Sequence, residues 1–214
     1  MSCTSNYKNC DTSYYQTISI SGDGGKKVNY QGEHFQELAP KLSFWTVWHK
    51  NIGVIAEEEN NYYYVEQYYQ HVLSKLDPEE VYEKIGQKIL LCYEENTEFC
   101  HRHIVAAWFE LLLGKATPEI TFDGCKLTEV NRPDTIKPML EDVMKKNLNM
   151  RGFHSLRALY LFEKSSKIEE KTRELEEKTG KCYDGLWQAA CFFRCEADME
   201  EEQYRKEHFS KKIK

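Results

Sequence analysis

The sequence lacks several features that would assign it quickly. No stretch approaches the ~20 consecutive apolar residues that a membrane-spanning helix needs, so no membrane association is expected. None of the eight cysteines forms a C-x-x-C pair, which removes the commonest zinc-ribbon and thioredoxin-type spacings. There is no G-x-G-x-x-G and no P-loop. "GDGG" (22–25) follows a strand pattern but lacks the Lys-Ser/Thr ending, and it reads as a plain loop. No cofactor is therefore expected. Positive charge is also short. The net charge is −6, with 10 Lys+Arg against 18 Asp+Glu in residues 1–125 and 19 against 17 in residues 126–214. An acidic first half argues against a broad, nonspecific grip on a phosphate backbone. The N-terminal "MSCTSNYKNC" has no apolar core, so no signal peptide is expected there. A cytoplasmic location with reduced thiols follows as the expectation.

What is present reads as α/β followed by helix. In "YYQTISISG" (14–22), Ile18 and Ile20 alternate with Ser19 and Ser21, the period of a strand. Residues 32–51 read as a helix interrupted at Pro40, with Phe44, Trp45 and Trp48 toward the core. Residues 60–77 place Val65, Tyr68, Tyr69, Val72, Leu73 and Leu76 at helical spacing, and this aromatic stripe reads as core because Lys75 is its sole cation. "DPEEVYEKIG" (77–86) starts with an N-cap Asp77 and Pro78 at N1, and ends at Gly86. "QKILLCYE" (87–94) suits a strand buried on both faces. A helix over 100–114 and a strand over 118–122 follow. This order predicts a compact Rossmann-like α/β domain with a mainly parallel sheet over 1–125.

Residues 126–214 read differently, as an all-helical extension with helices near 134–148, 152–179 and 182–208. The last two are expected to form a helical hairpin, docked on the first domain or forming a homodimer through residues 152–208, with a solvated tail beyond. Cys191 and Cys195, at i, i+4 spacing beside Phe192 and Phe193, read as buried structural thiols.

The chemistry concentrates in "CYEENTEFCHRHIVAAW" (92–108). With a helix N-cap at Asn96 or Thr97, Cys100 falls in the first turn, where orphan N–H groups and the positive dipole end lower a thiol pKa. Cys92 lies at the carboxyl end of a strand, the usual ligand position in an open parallel sheet. Glu94, Cys100 and His101 are the candidate catalytic residues, as acid/base, nucleophile and activating imidazole. Cys92, Arg102, Ser5, Ser19 and Ser21 are the candidate ligand contacts, with Arg102 clamping an anion bidentately. The competing view makes Cys92 a small core residue and lets His103 bond backbone. Zinc held by Cys92, Cys100, His101 and His103 is set aside. A second ligand pair at standard spacing is missing, and neighbours on a helix rarely coordinate together. No metal is expected.

The same residues carry a resemblance. "ILLCYEENTEFCHRHIVAAW" (89–108) resembles the signature of the domain of unknown function 488 family: a hydrophobic strand, Cys-Tyr-Glu, a short loop, then Cys-His-Arg and a helix. "CTSNY" (3–7), "ISIS" (18–21), "YQG" (30–32), "LAPKLSFW" (38–45) and "YYQHVLSKLDPEEV" (68–81) fall in the matching order. The resemblance covers about residues 1–125. It implies a compact Rossmann-like domain in which Cys92, Glu94, Cys100, His101 and Arg102 are the shared polar positions. Two departures stand out. Asp23 follows the "ISIS" strand where the family often has a basic residue and a proline, and residues 126–214 lie outside the family core.

Three functions compete. The first is a pocket that binds or processes a small anionic or nucleotide-like ligand, or a nucleic-acid base. The second is a thiol-dependent enzyme or redox sensor using Cys92 and Cys100. The third is a non-enzymatic interaction module acting through the C-terminal helices.

Overall fold

The computed structural model describes residues 2–209, so the part of the expected solvated tail beyond Phe209 lies outside the described residues. The chain divides into two compact units, one ending at Lys146 and one starting at Asn147.

The first unit is an α/β fold built on one six-stranded sheet. Its strands are β1 (Cys3–Asn6), β2 (Thr17–Ser19), β3 (Glu33–His34), β4 (Ile89–Cys92), β5 (Glu119–Phe122) and β6 (Leu127–Val130), in spatial order β3-β2-β4-β1-β5-β6. All neighbours run parallel except β5 and β6. β4 lies near the centre, and its four residues are all buried. That is why "ILLC" is uniformly apolar instead of alternating. The register aligns Asn6 with Cys92 and Ser19 with Leu91. The carboxyl ends of β1, β2 and β4 therefore finish at nearly the same level.

The helices of this unit are α1 (Leu42–Asn51), α2 (Glu57–His71), α3 (Pro78–Ile85), α4 (His101–Leu113) and α5 (Ile136–Asn147). α3 starts as its sequence predicts. The Asp77 carboxylate accepts from the N–H groups of Glu79 and Glu80 at 2.9 and 3.1 Å, and Gly86 ends the helix at φ 62°. In α4 every residue from His101 to Phe109 is buried, so the helix passes through the core with no solvent face. On α2, Val65, Tyr68 and Tyr69 are buried, followed by Val72 and Leu73 just beyond its end. The aromatic stripe is core, as its composition predicts.

Two expectations change. The helix expected over 32–51, interrupted at Pro40, is α-helical only after the proline: β3 and a 3-10 turn at Gln36–Leu38 precede it, and α1 follows. Pro40 holds Ala39 extended (φ −68°, ψ 138°), as the residue before proline prefers. The boundary expected after residue 125 falls inside the first unit, because β6 extends the sheet antiparallel to β5 through the short turn at 123–126. Alternation in "LTEV" is too weak to announce an edge strand exposed on most of its surface.

The second unit is a helical hairpin of α6 (Leu156–Thr179) and α7 (Asp184–Phe209). Ser155 caps α6 by accepting from the Ala158 N–H, and Gly180 ends it at φ 66°. The helices bury stripes against each other. The Ser165 hydroxyl donates to the Ala190 carbonyl at 2.7 Å, and the Trp187 indole N–H donates to Glu176 at 2.9 Å. Cys191 and Cys195 are exposed here, not buried. The interhelix seam runs through Ala190 and Ala197, one residue from Cys191 and two from Cys195, and a helix advances about 100° per residue. Among the described residues, no helix is long and apolar enough to cross a membrane.

Candidate functional site

The loops leaving β2 and β4 open onto a cavity of about 590 Å³, within the usual range for a small-molecule pocket. It sits outside the carboxyl ends of neighbouring parallel strands, the position that open α/β sheets favour. Its floor is Cys92, Glu94, Cys100 and His101, and its walls include Trp45, Trp48, Tyr64 and Phe99.

The floor is set by where α4 begins. Asn96 and Thr97 do not cap the helix; Cys100 does, in an extended conformation (φ −150°, ψ 145°), and α4 starts at His101. Residues 93–99 form a separate loop, fastened where the Glu95 N–H donates to the Glu98 carboxylate at 2.9 Å. Asn and Thr are the better N-cap side chains, but here they occupy that loop. The shift brings Cys100 and His101 together under the end of β4.

The distances are short. Cys100 Sγ lies 2.9 Å from Glu94 Oε2. His101 Nδ1 lies 3.7 Å from Cys92 Sγ and 3.8 Å from Cys100 Sγ. His101 Nε2 is 2.9 Å from the Ile20 carbonyl at the exit of β2. A carbonyl only accepts, so Nε2 carries a proton; Cys100 Sγ approaches the ring at Nδ1, whereas Cys92 Sγ lies nearly equidistant from the two nitrogens, 3.7 Å from Nδ1 and 3.9 Å from Nε2. Cys92, Cys100 and His101 are all buried.

Burial and crowding shift the acids. Burial, reinforced by negative charge on Cys100, raises the Glu94 carboxyl to about 7. Burial also raises the Cys92 thiol well above its ordinary value. Burial acts the same way on Cys100, but Cys92, the Arg102 guanidinium and His101 outweigh it and hold this thiol well below its usual value.

The remaining predicted contacts divide. Ser21 lines the cavity and accepts from the Gly25 N–H at 3.0 Å. Ser19 is turned to the Tyr7 hydroxyl at 2.6 Å, and the Ser5 hydroxyl donates to the Ile120 carbonyl at 2.7 Å. Both are buried sheet positions rather than ligand contacts. Arg102, expected as an anion clamp, is absent from the cavity lining: its guanidinium is fully buried on Glu119, donating from Nη2 at 2.9 Å and from Nε at 3.2 Å, with a further bond to the Glu95 carbonyl and with Nη1 left without a partner among the described residues. His103 joins the same carboxylate at 3.2 Å, and the Thr4 hydroxyl also donates to it. The Cys-His-Arg run thus splits at the helix start: Cys100 and His101 face the cavity, while Arg102 and His103 face β5.

The sequence reading missed the walls. Trp48 packs at 5.2 Å from Tyr64 and 5.6 Å from Phe99 between ring centroids, and Tyr64 lies 5.3 Å from Phe99. The 22–25 loop is also more than a connector. Asp23 lines the cavity and accepts from the Tyr93 hydroxyl at 2.7 Å, tying the β2 loop to the β4 loop. The signal for the walls was partly visible, since Trp45 and Trp48 lie one helical turn apart on α1.

Of the four residues weighed as metal ligands, His103 is bonded to Glu119, while one ligand atom from each of Cys92, Cys100 and His101 lies within 4.8 Å of the others. Comparison of the chain with family models, curated proteins and solved structures returns no match.

Proposed function

We propose that this cavity binds and processes a planar nitrogen heterocycle of the nucleobase type. The observation that carries the reading is the Cys100–Glu94 contact of 2.9 Å at the floor of an aromatic-walled pocket. Indole and phenyl rings supply flat apolar surface for an aromatic ligand, worth about 1–3 kcal/mol per stacked base. The carboxyl and thiol beneath supply proton transfer to ring nitrogens or exocyclic groups.

The charge of the lining argues for the ring over its phosphates. Asp23 and Glu94 face the cavity against Lys27, and the Lys27 ammonium sits 5.6 Å over the Tyr93 ring. With Arg102 turned to Glu119, a phosphorylated ligand would meet more negative charge than positive. A free base, a nucleoside or a single unstacked base suits the pocket better. Membership in the domain of unknown function 488 family belongs to the same proposal, because four of its shared polar positions (Cys92, Glu94, Cys100 and His101) form the floor. A reducing, cytoplasmic setting also belongs to the proposal.

The test is titration of the full-length protein with purine and pyrimidine bases and nucleosides, read by tryptophan fluorescence. Quenching that saturates, and that weakens in Trp48→Ala, supports the reading. No saturable quenching by any member of the panel overturns it.

A second reading, a thiol-dependent enzyme or redox sensor, is favoured by the lowered Cys100 thiol beside Cys92. It predicts a Cys92–Cys100 disulfide or a singly modified Cys100 after mild oxidation, seen by peptide mass spectrometry.

A further inference from the structure

The geometry points to a zinc site formed by Cys92, Cys100 and His101, with its open position facing the cavity beside Glu94. This inference deepens the heterocycle reading and rests on it for the substrate class, though not for the metal.

Three observations converge on it. The first is spacing. A tetrahedral zinc with Zn–S near ~2.3 Å and Zn–N near ~2.05 Å sets its ligand atoms about 3.8 Å apart for two sulfurs and about 3.6 Å for sulfur and nitrogen. His101 Nδ1 lies 3.7 and 3.8 Å from the two sulfurs, and the three ligand atoms together span no more than 4.8 Å. Cys92 Sγ is also 3.9 Å from Nε2, so closing the triangle on one ion takes a rotation of the Cys92 side chain toward the Nδ1 edge of the ring.

The second is orientation. A metal-bound histidine generally donates its other ring N–H to a carbonyl or carboxylate, which fixes the ring. His101 does so, since Nε2 lies 2.9 Å from the Ile20 carbonyl and Nδ1 is left for the metal. That bond crosses from α4 to the exit of β2, so the ring is set by two separate segments of the fold.

The third is charge. Two buried thiols and a largely buried carboxyl share one floor, and no Lys or Arg side chain donates a hydrogen bond to any of them among the described residues. Zinc would bind as the dication to two thiolates and a neutral imidazole. The resulting centre is electrically neutral, which suits a buried position. Two thiolates and an imidazole favour zinc over the oxygen-seeking magnesium and calcium.

Three protein ligands leave a fourth position, the arrangement of a catalytic rather than a structural zinc. All three ligands and Glu94 line the cavity, so a water on the metal would meet both the heterocycle and the Glu94 carboxyl. Glu94 would then be placed to take the proton of that water as its oxygen adds to the carbon of a ring C=N bond, and to return the proton to the ring nitrogen that receives the π pair, giving the hydrated heterocycle.

The test uses the full-length protein purified from zinc-supplemented cells, with Cys191→Ser/Cys195→Ser as the background because that exposed pair could bind metal adventitiously. Elemental analysis is expected to give about one zinc per chain, falling at least tenfold in Cys92→Ser or Cys100→Ser and unchanged in Glu94→Gln. Cobalt(II) exchanged into the unaltered floor gives a second readout that needs no cysteine variant: thiolate-to-cobalt charge transfer in the near ultraviolet and intense tetrahedral d–d bands. Substoichiometric zinc together with an octahedral cobalt spectrum overturns the site. The fluorescence titration, repeated on chelator-treated protein, separates the two proposals. Retained quenching without metal binding removes the zinc alone, and metal binding without quenching removes the heterocycle alone.

Discussion

Arg102 and Glu119 form an ion pair at 2.9 Å with side chains 0% and 1% exposed. Thr4 and His103 bond to the same carboxylate, and the guanidinium also reaches the Glu95 carbonyl. The pair joins the start of α4 to the start of β5, beneath the loop that carries Glu94. Because it is dry and multiply bonded, removing one partner leaves an uncompensated buried charge.

Arg102→Met is therefore expected to destabilise the first unit by about 3–5 kcal/mol, as is typical when one member of a buried pair is lost. Urea denaturation is the measurement. A loss below about 1 kcal/mol would mean that the pair is not dry. Arg102→Lys keeps the charge but not the planar fork, and it should fall between the two.

Trp48→Ala is expected to weaken heterocycle binding by about 1–3 kcal/mol, roughly 5- to 150-fold in Kd. Isothermal titration reads this directly. Trp108→Phe is the control, since Trp108 is buried in α4 and outside the cavity lining. Equal effects from the two substitutions would count against stacking on Trp48.

Alkylation of the native protein should follow exposure. Cys125, Cys182, Cys191 and Cys195 are exposed, whereas Cys10, Cys92 and Cys100 are buried. Time-resolved iodoacetamide labelling with peptide mass spectrometry is expected to modify the four exposed thiols first. Zinc should slow Cys92 and Cys100 further. Labelling of Cys100 ahead of Cys191 would show that the floor opens readily to solvent and would favour the nucleophile reading.

The second unit should show acid sensitivity centred on Glu201. Burial raises this carboxyl, but the backbone N–H groups of Ser155 and His154, the His154 ring and Arg205 outweigh burial and hold it at about 2. The geometry agrees, with His154 N–H at 2.8 Å, Ser155 N–H at 3.0 Å and Arg205 Nε at 2.8 Å. A carboxyl with a depressed folded-state pKa stabilises above its unfolded value, and the contribution disappears as pH falls toward the folded value. Thermal melts of the unaltered protein and Glu201→Gln should differ by about 2 kcal/mol at neutral pH, allowing for screening of the partly exposed Arg205. The difference should shrink below about pH 4.5 and vanish near pH 2. A constant gap across that range would assign the effect to packing.

Periodicity and capping carried most of the architecture. "ILLC" could only be a central strand, and "DPEEVYEKIG" stated both ends of α3. The Cys92–Cys100–His101 grouping followed from placing a strand end against a helix start. What failed depended on direction. Arg102 and His101 are adjacent on α4, so their side chains diverge by about 100°, and no local signal says which faces the cavity. Ser5 and Ser19 look like loop-end contacts, but the parallel register of β1, β2 and β4 draws them into the sheet. Trp45, Trp48 and Tyr64 of the aromatic walls come from α1 and α2, more than 25 residues before the floor, and their convergence depends on tertiary packing. β6 was missed because an edge strand carries little hydrophobic pattern.

Apart from Phe99, the aromatic walls of the cavity are covalently remote from its floor. Residues 92–101 hold the floor, while Trp45, Trp48 and Tyr64 belong to helices that carry none of it. Under the proposed function, the walls that would set ligand shape can therefore be varied without altering the floor. A small library varied at positions 45, 48 and 64 would sample differently shaped ring ligands over an unchanged chemical centre, making this fold a practical starting point for directed evolution.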